Sequence, residues 1–258
     1  MNFIDTHTHL YLDQFKEDID QVVQNALDSG VSKLLLPNID SHTLASMNAL
    51  SEKFPGICYP MIGLHPSDVK ENYQEELAIV KRESESNKYI AIGEIGIDLY
   101  WDKTFLAQQQ EVFAFQLELA KSLEIPVAIH ARDSFNEIFE ILDHHNDDSL
   151  MGVLHCFTGN LAQANRVIDY GGFKLGIGGV ATFKNGGLDK VIPHIDLAHL
   201  VLETDSPFLA PTPYRGKRNE SQYIPIIADK IAQMKGIKIE EVAEVTTENA
   251  LGLFTKIK

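Results

Sequence analysis

The chain opens with the stretch Ile4-Asp5-Thr6-His7-Thr8-His9, which places two histidines one residue apart after an apolar start. Side chains two positions apart in a β-strand point to the same face, so His7 and His9 would lie side by side as a chelating pair. A chain with 10 histidines can contain one such pair by chance. The pair therefore indicates a metal site only if further ligands occur elsewhere in the sequence.

Eight β-rich runs alternate with helical segments along the chain. The segment 105–123 has apolar residues at helical spacing and is predicted to be a long helix. Repetition of strand and helix through eight units predicts an α/β fold, a single (β/α)8 TIM-like barrel that forms one domain over residues 1–258. A doubly wound open sheet, the main alternative, would carry a glycine-rich fingerprint where this chain has its two histidines. The predicted strands cover residues 3–9, 33–37, 57–64, 89–95, 126–131, 151–157, 172–177 and 199–204.

The overall composition is that of an ordinary globular protein, with 44% hydrophobic and 23% charged residues. No apolar run approaches bilayer-spanning length and the start lacks the features of a secretory signal, so we expect a cytoplasmic protein without membrane association. Cys58 and Cys156 lie in apolar segments, which is typical of buried thiols rather than of a disulfide framework. The net charge of −15 argues against a general nucleic-acid-binding surface, so a polyanion would have to be bound locally. No obligate protein partner is predicted.

Side chains that can bind metals mark the ends of five predicted strands. In a (β/α)8 barrel the carboxyl ends of the strands meet at one face, so these side chains are expected to converge. Burying so many ionisable groups together is costly unless they are paired or bound to a cation. The candidate metal ligands are His7, His9, Glu94, His130, His155 and Asp205.

This donor set consists of imidazoles and carboxylates and contains no cysteine. Nitrogen and oxygen ligands of this kind suit Zn²⁺ or Mn²⁺ and, through the carboxylates and water, Mg²⁺. The ligands are too many for one catalytic ion, which predicts two divalent metal cations per subunit, about 3.5–4 Å apart. In the predicted partition, one cation takes His7, His9 and Asp205, the other takes His130 and His155, and Glu94 bridges the two.

Several longer motifs surround these residues. They are IDTHTHL (4–10), IGLHP (62–66), IGEIGID (92–98), IHAR (129–132), HCFTG (155–159), LETDSP (202–207) and PYRGKRN (213–219). In this order, and over nearly the whole chain, they resemble the motifs of TatD-type metal-dependent hydrolases, often described as TatD-family deoxyribonucleases. The resemblance implies a TIM-like barrel, up to two divalent cations, phosphodiester hydrolysis and the same six metal ligands. Tyr11 departs from the family pattern, which commonly has Asp or Asn there, and we expect it to alter the rim of the pocket and the substrate preference.

These observations predict a divalent-metal-dependent hydrolase, most specifically a deoxyribonuclease that cleaves phosphodiester bonds with a metal-activated hydroxide. The expected substrate is DNA, as single strands or ends. Asp205 is the candidate general base; the alternative is that it acts only as a metal ligand. Glu94 is the second candidate catalytic residue. The candidate substrate-binding residues are His65, Arg132 and Arg215, because each could donate hydrogen bonds near the predicted mouth.

Two other functions remain open from the sequence. The same centre could serve a metal-dependent esterase or amidohydrolase, including one that deacylates an aminoacyl-RNA, since the same nucleophile attacks a carbonyl carbon. A non-catalytic barrel that binds metal is the third reading, and the complete ligand set argues against it. Lys184 and the basic loop of residues 215–218 follow late strands, and barrels often bind phosphate after their last strands.

Four further features lie near the candidate ligands in the sequence. Asp5 and Glu203 precede ligands by two residues, so both are expected inside the barrel, accepting hydrogen bonds from ligating imidazoles or backbone. Trp101 could stack on a nucleic-acid base, but we favour packing between a loop and a helix. The glycine-rich run 170–179 is neither a P-loop nor a dinucleotide fingerprint, and helix ending and close backbone approach explain it better.

Overall fold

Eight parallel strands form the centre of the computed structural model, which describes residues 1–257. They are β1 (Phe3–Asp5), β2 (Val31–Leu36), β3 (Cys58–Pro60), β4 (Ile92–Asp98), β5 (Val127–Arg132), β6 (Gly152–Leu154), β7 (Phe173–Ile177) and β8 (Leu200–Leu202). Strands β1 to β3 form one hydrogen-bonded sheet and β4 to β8 form another. Parallel bridges between Ile62 and Ile92 and between Thr8 and Ser206 join the two sheets at both edges. The barrel is therefore closed, and the predicted TIM-like fold is confirmed.

The first strand is shorter than the predicted run of residues 3–9. Beyond β1 the backbone stays extended, because Thr6 N–H donates to Leu202 O and Thr8 N–H donates to Leu35 O, each at 3.0 Å. The chain thus alternates between its two neighbours, as a strand would, without forming continuous ladders. This keeps the two histidines of the opening stretch on one face, as the sequence predicts.

Helices form the outer layer of the barrel. They are α1 (Ile19–Asp28), α2 (Leu44–Lys53), α3 (Tyr73–Ser84), α4 (Leu106–Ser122), α5 (Phe135–His145), α6 (Leu161–Asp169), α7 (Ile224–Lys235) and α8 (Ile239–Leu253). The long helix predicted over 105–123 is confirmed as α4. Among residues 1–257, no helix combines the length and the apolar character needed to cross a bilayer.

The eightfold alternation of strand and helix is interrupted once. Between β7 and β8, residues 178–199 form only short 3-10 turns, so the helix expected there is absent from this fully described segment. Glycine pairs at 178–179 and 186–187 and a proline at 193 account for the difference, because both residue types disfavour a continuous helix. Helices α7 and α8 follow β8 instead, and α8 packs against β1 and β8.

An apolar cluster lies below the polar ends of the strands. Ala128, Val153 and Val201 belong to it, and each lies two positions before a polar residue that is in the same strand or directly follows it, so the two groups share one face. The carboxyl-terminal part of α8 supplies Leu253 and Phe254 to the same cluster. One end of the barrel interior is therefore apolar and is closed by α8, and the polar groups gather at the opposite end.

Candidate metal centre at the mouth of the barrel

Glu94 lies buried at the centre of the polar cluster and faces imidazoles with both carboxylate oxygens. Its Oε2 lies 3.1 Å from His7 Nε2 and 3.4 Å from His9 Nε2. Asp205 approaches the same imidazoles, with Oδ1 at 3.8 Å from His7 Nε2 and 3.5 Å from His9 Nε2. Two imidazoles and two carboxylates therefore surround one position beside Oε2.

The other oxygen of Glu94 faces a second group of imidazoles. Its Oε1 lies 2.7 Å from His155 Nε2, 2.9 Å from His130 Nδ1 and 3.2 Å from His65 Nε2. His130 Nδ1 and His155 Nε2 are themselves 3.2 Å apart. All six predicted ligands thus converge as the sequence predicts, in the predicted partition about Glu94, and their role as ligands stays a prediction.

Outer partners fix the ring nitrogens of two of these histidines. The Tyr11 hydroxyl donates to Pro37 O at 2.5 Å, so its oxygen must accept from His9 Nδ1–H at 2.9 Å. Asp98 Oδ2 accepts from His130 Nε2–H at 2.9 Å. In the neutral rings, the remaining nitrogens of His9 and His130 then carry lone pairs that point at Glu94.

That arrangement fits divalent cations. A lone pair facing a carboxylate at hydrogen-bond distance is repulsive unless a proton or a cation lies between the two atoms. Donor separations near 3–3.5 Å are also those of neighbouring ligands around one cation whose bonds are about 2.0–2.2 Å long. Three groups have ligand atoms close enough to hold one ion: His7 with His9 and Glu94, His65 with Glu94 and His130, and His7 with His155 and Glu203.

His65 differs from His9 and His130 in that the ring nitrogen facing Glu94 is a hydrogen-bond donor. The backbone N–H of Ser67 donates to His65 Nδ1 at 3.1 Å, so the proton of the neutral ring lies on Nε2. His65 therefore presents a donor toward Glu94, where His9 and His130 present acceptors. This tautomer suits the predicted role of His65 as a hydrogen-bond donor better than it suits a role as a metal ligand.

Glu203 lies below His155 and is completely buried. Its Oε1 accepts from the backbone N–H of Cys156 and lies 3.7 Å from His155 Nδ1. A side chain at Gly176 would collide with Glu203 Oε2, since a Cβ there would lie 2.1 Å from that oxygen. This close approach explains one glycine of the run 170–179. Within residues 1–257, His155 Nδ1 and Glu203 Oε2 lack hydrogen-bond partners.

Asp5 supports the first strand rather than an imidazole. Its carboxylate accepts from Thr204 N–H at 2.9 Å, from the Thr204 hydroxyl at 2.6 Å and from His7 N–H at 3.3 Å. Both Asp5 and Glu203 are fully buried, as the predicted strand phase requires. Asp5 thereby fixes the backbone of His7 relative to β8.

The pKa values of the groups in this cluster are set by burial and by the charges of the neighbouring groups. Burial raises the pKa of Glu94, but the neighbouring imidazoles of His155, His65 and His7 lower that pKa well below its usual range. Burial lowers the pKa of His155, and attraction to Glu94 outweighs burial and raises it well above its usual range. The pKa of His7 is lowered by burial and by the charge on His155, whose ring stacks on His7 at 3.8 Å between centroids. A cation that binds here must therefore displace protons.

Two expectations about individual residues are wrong. Tyr11 does not lie at the rim of the pocket: it is only 8% exposed, behind His9, because its hydroxyl serves the imidazole and Pro37. Trp101 does not pack between a loop and a helix, because it is 77% exposed after β4.

The predicted basic residues have different surroundings. The Arg132 guanidinium lies over the Tyr100 ring, 3.7 Å from its centroid. Arg215 stacks on Phe183 at 3.5 Å and, with Lys184, lines a groove of about 340 Å³. Arg218 is held in ion pairs, chiefly with Asp18 on the amino-terminal side of α1 at 2.7 Å, so its role is structural.

Sequence reasoning assigned no role to Asp98, although one signal was available. Asp98 follows Glu94 by four residues on β4, so strand alternation places both on one face. The strand pairing sets Asp98 opposite Arg132 and close to His130. Tyr11 offered a weaker signal, because its hydrogen bond to His9 depends on the path of the chain after β1.

Comparison with known proteins agrees with this geometry. Residues 4–255 match the family described as TatD related DNase. The chain is 39% identical to the uncharacterized metal-dependent hydrolase YabD of Bacillus subtilis (strain 168), over 97% of this chain and 98% of that one. It is 33% identical to the 3'-5' ssDNA/RNA exonuclease TatD of Erwinia billingiae, over 97% of this chain and 98% of that one.

Structural comparison gives the same result. The crystal structure of YjjV, a TatD homolog from Escherichia coli K12, matches with a TM-score of 0.92 and 31% identity, covering 98% of each chain. The resemblance found in the sequence motifs is thus confirmed across both sequence and fold. Buried groups of His and Glu that could bind a metal lie at the mouth of the same barrel. The chain therefore belongs to the TatD related DNase family and is a metal-dependent hydrolase of that family.

Proposed function

We propose that this chain is a deoxyribonuclease that hydrolyses phosphodiester bonds in single-stranded DNA or at DNA ends with two divalent cations. The observation that carries the proposal is the position of Glu94, whose two oxygens face two separate groups of imidazoles. A carboxylate in this position can hold two cations side by side, and such paired cations would stabilise the attacking and the leaving oxygen in phosphodiester hydrolysis. The Erwinia relative, named a 3'-5' ssDNA/RNA exonuclease, supports the same substrate class.

The proposed ligands divide between the two sides of Glu94. His7, His9 and Asp205 would hold one cation, and His130 and His155 would hold the other. Mg²⁺, Mn²⁺ and Zn²⁺ all suit this mixture of nitrogen and oxygen donors. When bound, such a pair supplies Lewis acidity to the phosphoryl oxygens and lowers the pKa of water.

Asp205 is proposed to take the proton from the attacking water. Its Oδ1 faces His7 and His9, while the side chain is 15% exposed, compared with 3% for Glu94. Its backbone has a φ of +58°, an uncommon conformation for a residue other than glycine that occurs often at functional sites. The carboxylate therefore combines a contact to the centre with access to solvent, as a general base needs.

Three donors are proposed to contact the phosphate. His65 carries its proton on Nε2 and points toward the centre, so it can donate to a phosphoryl oxygen. Arg132 and Arg215 are each held against an aromatic ring, which orients a guanidinium while leaving its N–H groups free to bind an anion. Because the chain as a whole is acidic, these local donors would provide much of the attraction for a polyanion.

We also propose that the protein works in the cytoplasm. Both cysteines are free thiols, and Cys58 is buried in the core, as expected in a reducing compartment. Fractionation of cells that express the natural gene would test this point.

An activity screen tests the proposed function. Purified protein with Mg²⁺, Mn²⁺ or Zn²⁺ is incubated with a single-stranded oligonucleotide, bis(p-nitrophenyl) phosphate, an aminoacyl-RNA and simple carboxylic esters. We expect cleavage of the oligonucleotide and the phosphodiester, and loss of both activities in the His130→Ala variant and with a chelator. Hydrolysis that survives the substitution, or cleavage of the carboxylic esters alone, would contradict the proposal.

A further inference from the structure

Two aromatic side chains stand exposed where β4 ends at the mouth of the barrel. Tyr100 is 51% exposed and Trp101 is 77% exposed. Their ring centroids are 4.6 Å apart and the ring planes are nearly perpendicular, at 89°. Scattered exposed aromatics are common, but here two rings pack edge to face beside a polar centre, and the largely exposed Trp101 ring supplies the surface on which a ligand can stack.

A cation completes this surface. The Arg132 guanidinium lies 3.7 Å from the Tyr100 centroid and 5.6 Å from the Trp101 centroid. Contacts of this kind stabilise an arginine over a ring and leave its N–H groups available. Tyr100, Trp101 and Arg132, here called the β4 platform, therefore combine flat apolar area with a positive charge.

The β4 platform is tied to the candidate metal centre through one carboxylate. Asp98 Oδ1 accepts from the backbone N–H of Tyr100 at 2.9 Å, and Oδ2 accepts from His130 at 2.9 Å. A small cavity of about 50 Å³ is lined by both Asp98 and Trp101. The β4 platform therefore adjoins the carboxylate that orients His130 of the candidate centre.

A third exposed aromatic lies across the mouth. Phe208 follows β8, is 48% exposed and lies 6.2 Å from the His9 ring between centroids. In the closed order of eight strands, β4 and β8 are on opposite sides of the barrel. The polar centre therefore lies between two aromatic surfaces.

We propose that the β4 platform stacks a base of single-stranded nucleic acid, with the neighbouring phosphate at the Glu94 centre and a base on the other side against Phe208. The proposal rests on the proposed function and extends it to named contacts. Single-strand binders pair aromatic rings, on which bases stack, with cations for the backbone. A duplex keeps its bases inside the helix, so the β4 platform would favour unpaired strands.

Trp101 is the single tryptophan of the chain, so its fluorescence reports on the β4 platform directly. The Mg²⁺-loaded protein is titrated with oligothymidylate that carries phosphorothioate linkages to slow cleavage, and with an abasic strand of the same length and linkage. We expect the base-bearing strand to quench the fluorescence, while the abasic strand and a duplex leave it nearly unchanged. Equal quenching by the abasic strand, or none by either strand, would overturn the proposal.

A matched pair of variants measures the contribution to affinity. Trp101→Ala should weaken binding of the oligothymidylate ~10-fold, while its affinity for the abasic strand changes less than about twofold. Phe115→Ala, which removes another exposed aromatic on α4, should change neither affinity. Equal losses for both strands in Trp101→Ala would overturn base stacking. Cleavage of an unmodified strand, followed separately, tests the nuclease itself, so loss of cleavage with quenching intact would refute only the proposed function.

Discussion

Replacing Tyr11 with phenylalanine should weaken cation binding although Tyr11 contacts no cation in the proposed centre. The substitution keeps the ring and removes one hydroxyl, which donates to Pro37 O and accepts from His9 Nδ1–H at 2.9 Å. That contact fixes which nitrogen of His9 faces Glu94 and Asp205. Without it the imidazole can turn or change tautomer, and the buried Nδ1–H loses its acceptor.

The expected magnitude follows from these contacts. A buried donor left without a partner costs about 1–3 kcal/mol, and each 1.4 kcal/mol corresponds to a factor of ten in an equilibrium constant. The affinity for the cation beside Glu94 Oε2 should therefore fall by about 10-fold, at the lower end of the roughly 10–100-fold that lost outer partners of metal ligands usually cost. Isothermal titration with Mn²⁺ would measure this change.

A second tyrosine provides the control. The Tyr170 hydroxyl contacts Asp143 Oδ1 at 2.5 Å. This contact joins α5 to the end of α6 in the outer layer of the barrel, away from the candidate metal centre. Tyr170→Phe removes a comparable hydrogen bond and should leave Mn²⁺ affinity unchanged, even if the melting temperature falls. Unchanged affinity in Tyr11→Phe, or an equal loss in both variants, would refute the reasoning.

The remaining predictions concern another outer partner, pH and a surface network. Asp98→Asn should weaken cation binding about 10-fold, because the one acceptor oxygen of asparagine cannot accept from both Tyr100 N–H and His130 Nε2–H, and unchanged affinity by titration would contradict this. Burial lowers the pKa of His9, but hydrogen bonds to two neighbouring carboxylates outweigh burial and raise it to about 9. Protons therefore compete with cations below that pH, so the affinity for the cation should rise from pH 6 to 9. Cation binding in this range should release protons, which calorimetry in buffers of different ionisation enthalpy would detect. Arg218→Ala should lower the free energy of unfolding by about 1 kcal/mol or less, because its ion pair with Asp18 is screened by solvent. The hydrogen bond from Arg218 lowers the pKa of Asp18, so this loss should be present at neutral pH and vanish as acid protonates Asp18, as urea unfolding at both pH values would show.

The strand order and the convergence of the ligands could be predicted because both depend on short-range patterns. Alternation along a strand fixes the face of Glu94 or His130, and a closed parallel barrel brings the strand ends together. Strand lengths were less predictable, since the chain after Asp5 stays extended with isolated bridges only. The regular alternation of strand and helix predicts a helix between β7 and β8. The glycine pairs in that segment argue against this helix, and the structure agrees with the glycines.

The outer contacts of the site could not be predicted from spacing. Which ring nitrogen of His9 faces the centre depends on a hydrogen bond with Tyr11, and the exposure of Trp101 depends on the path of the loop after β4. Both are tertiary properties without a local pattern. That residues 1–258 form one domain, and that no protein partner is obligatory, stay predictions.

Anomalous diffraction from crystals grown with Mn²⁺ would show whether Glu94 bridges two cations. We expect two anomalous peaks, one beside Oε2 in contact with His7 and His9, the other beside Oε1 in contact with His130 and His155. A single peak, or peaks that do not touch Glu94, would contradict it.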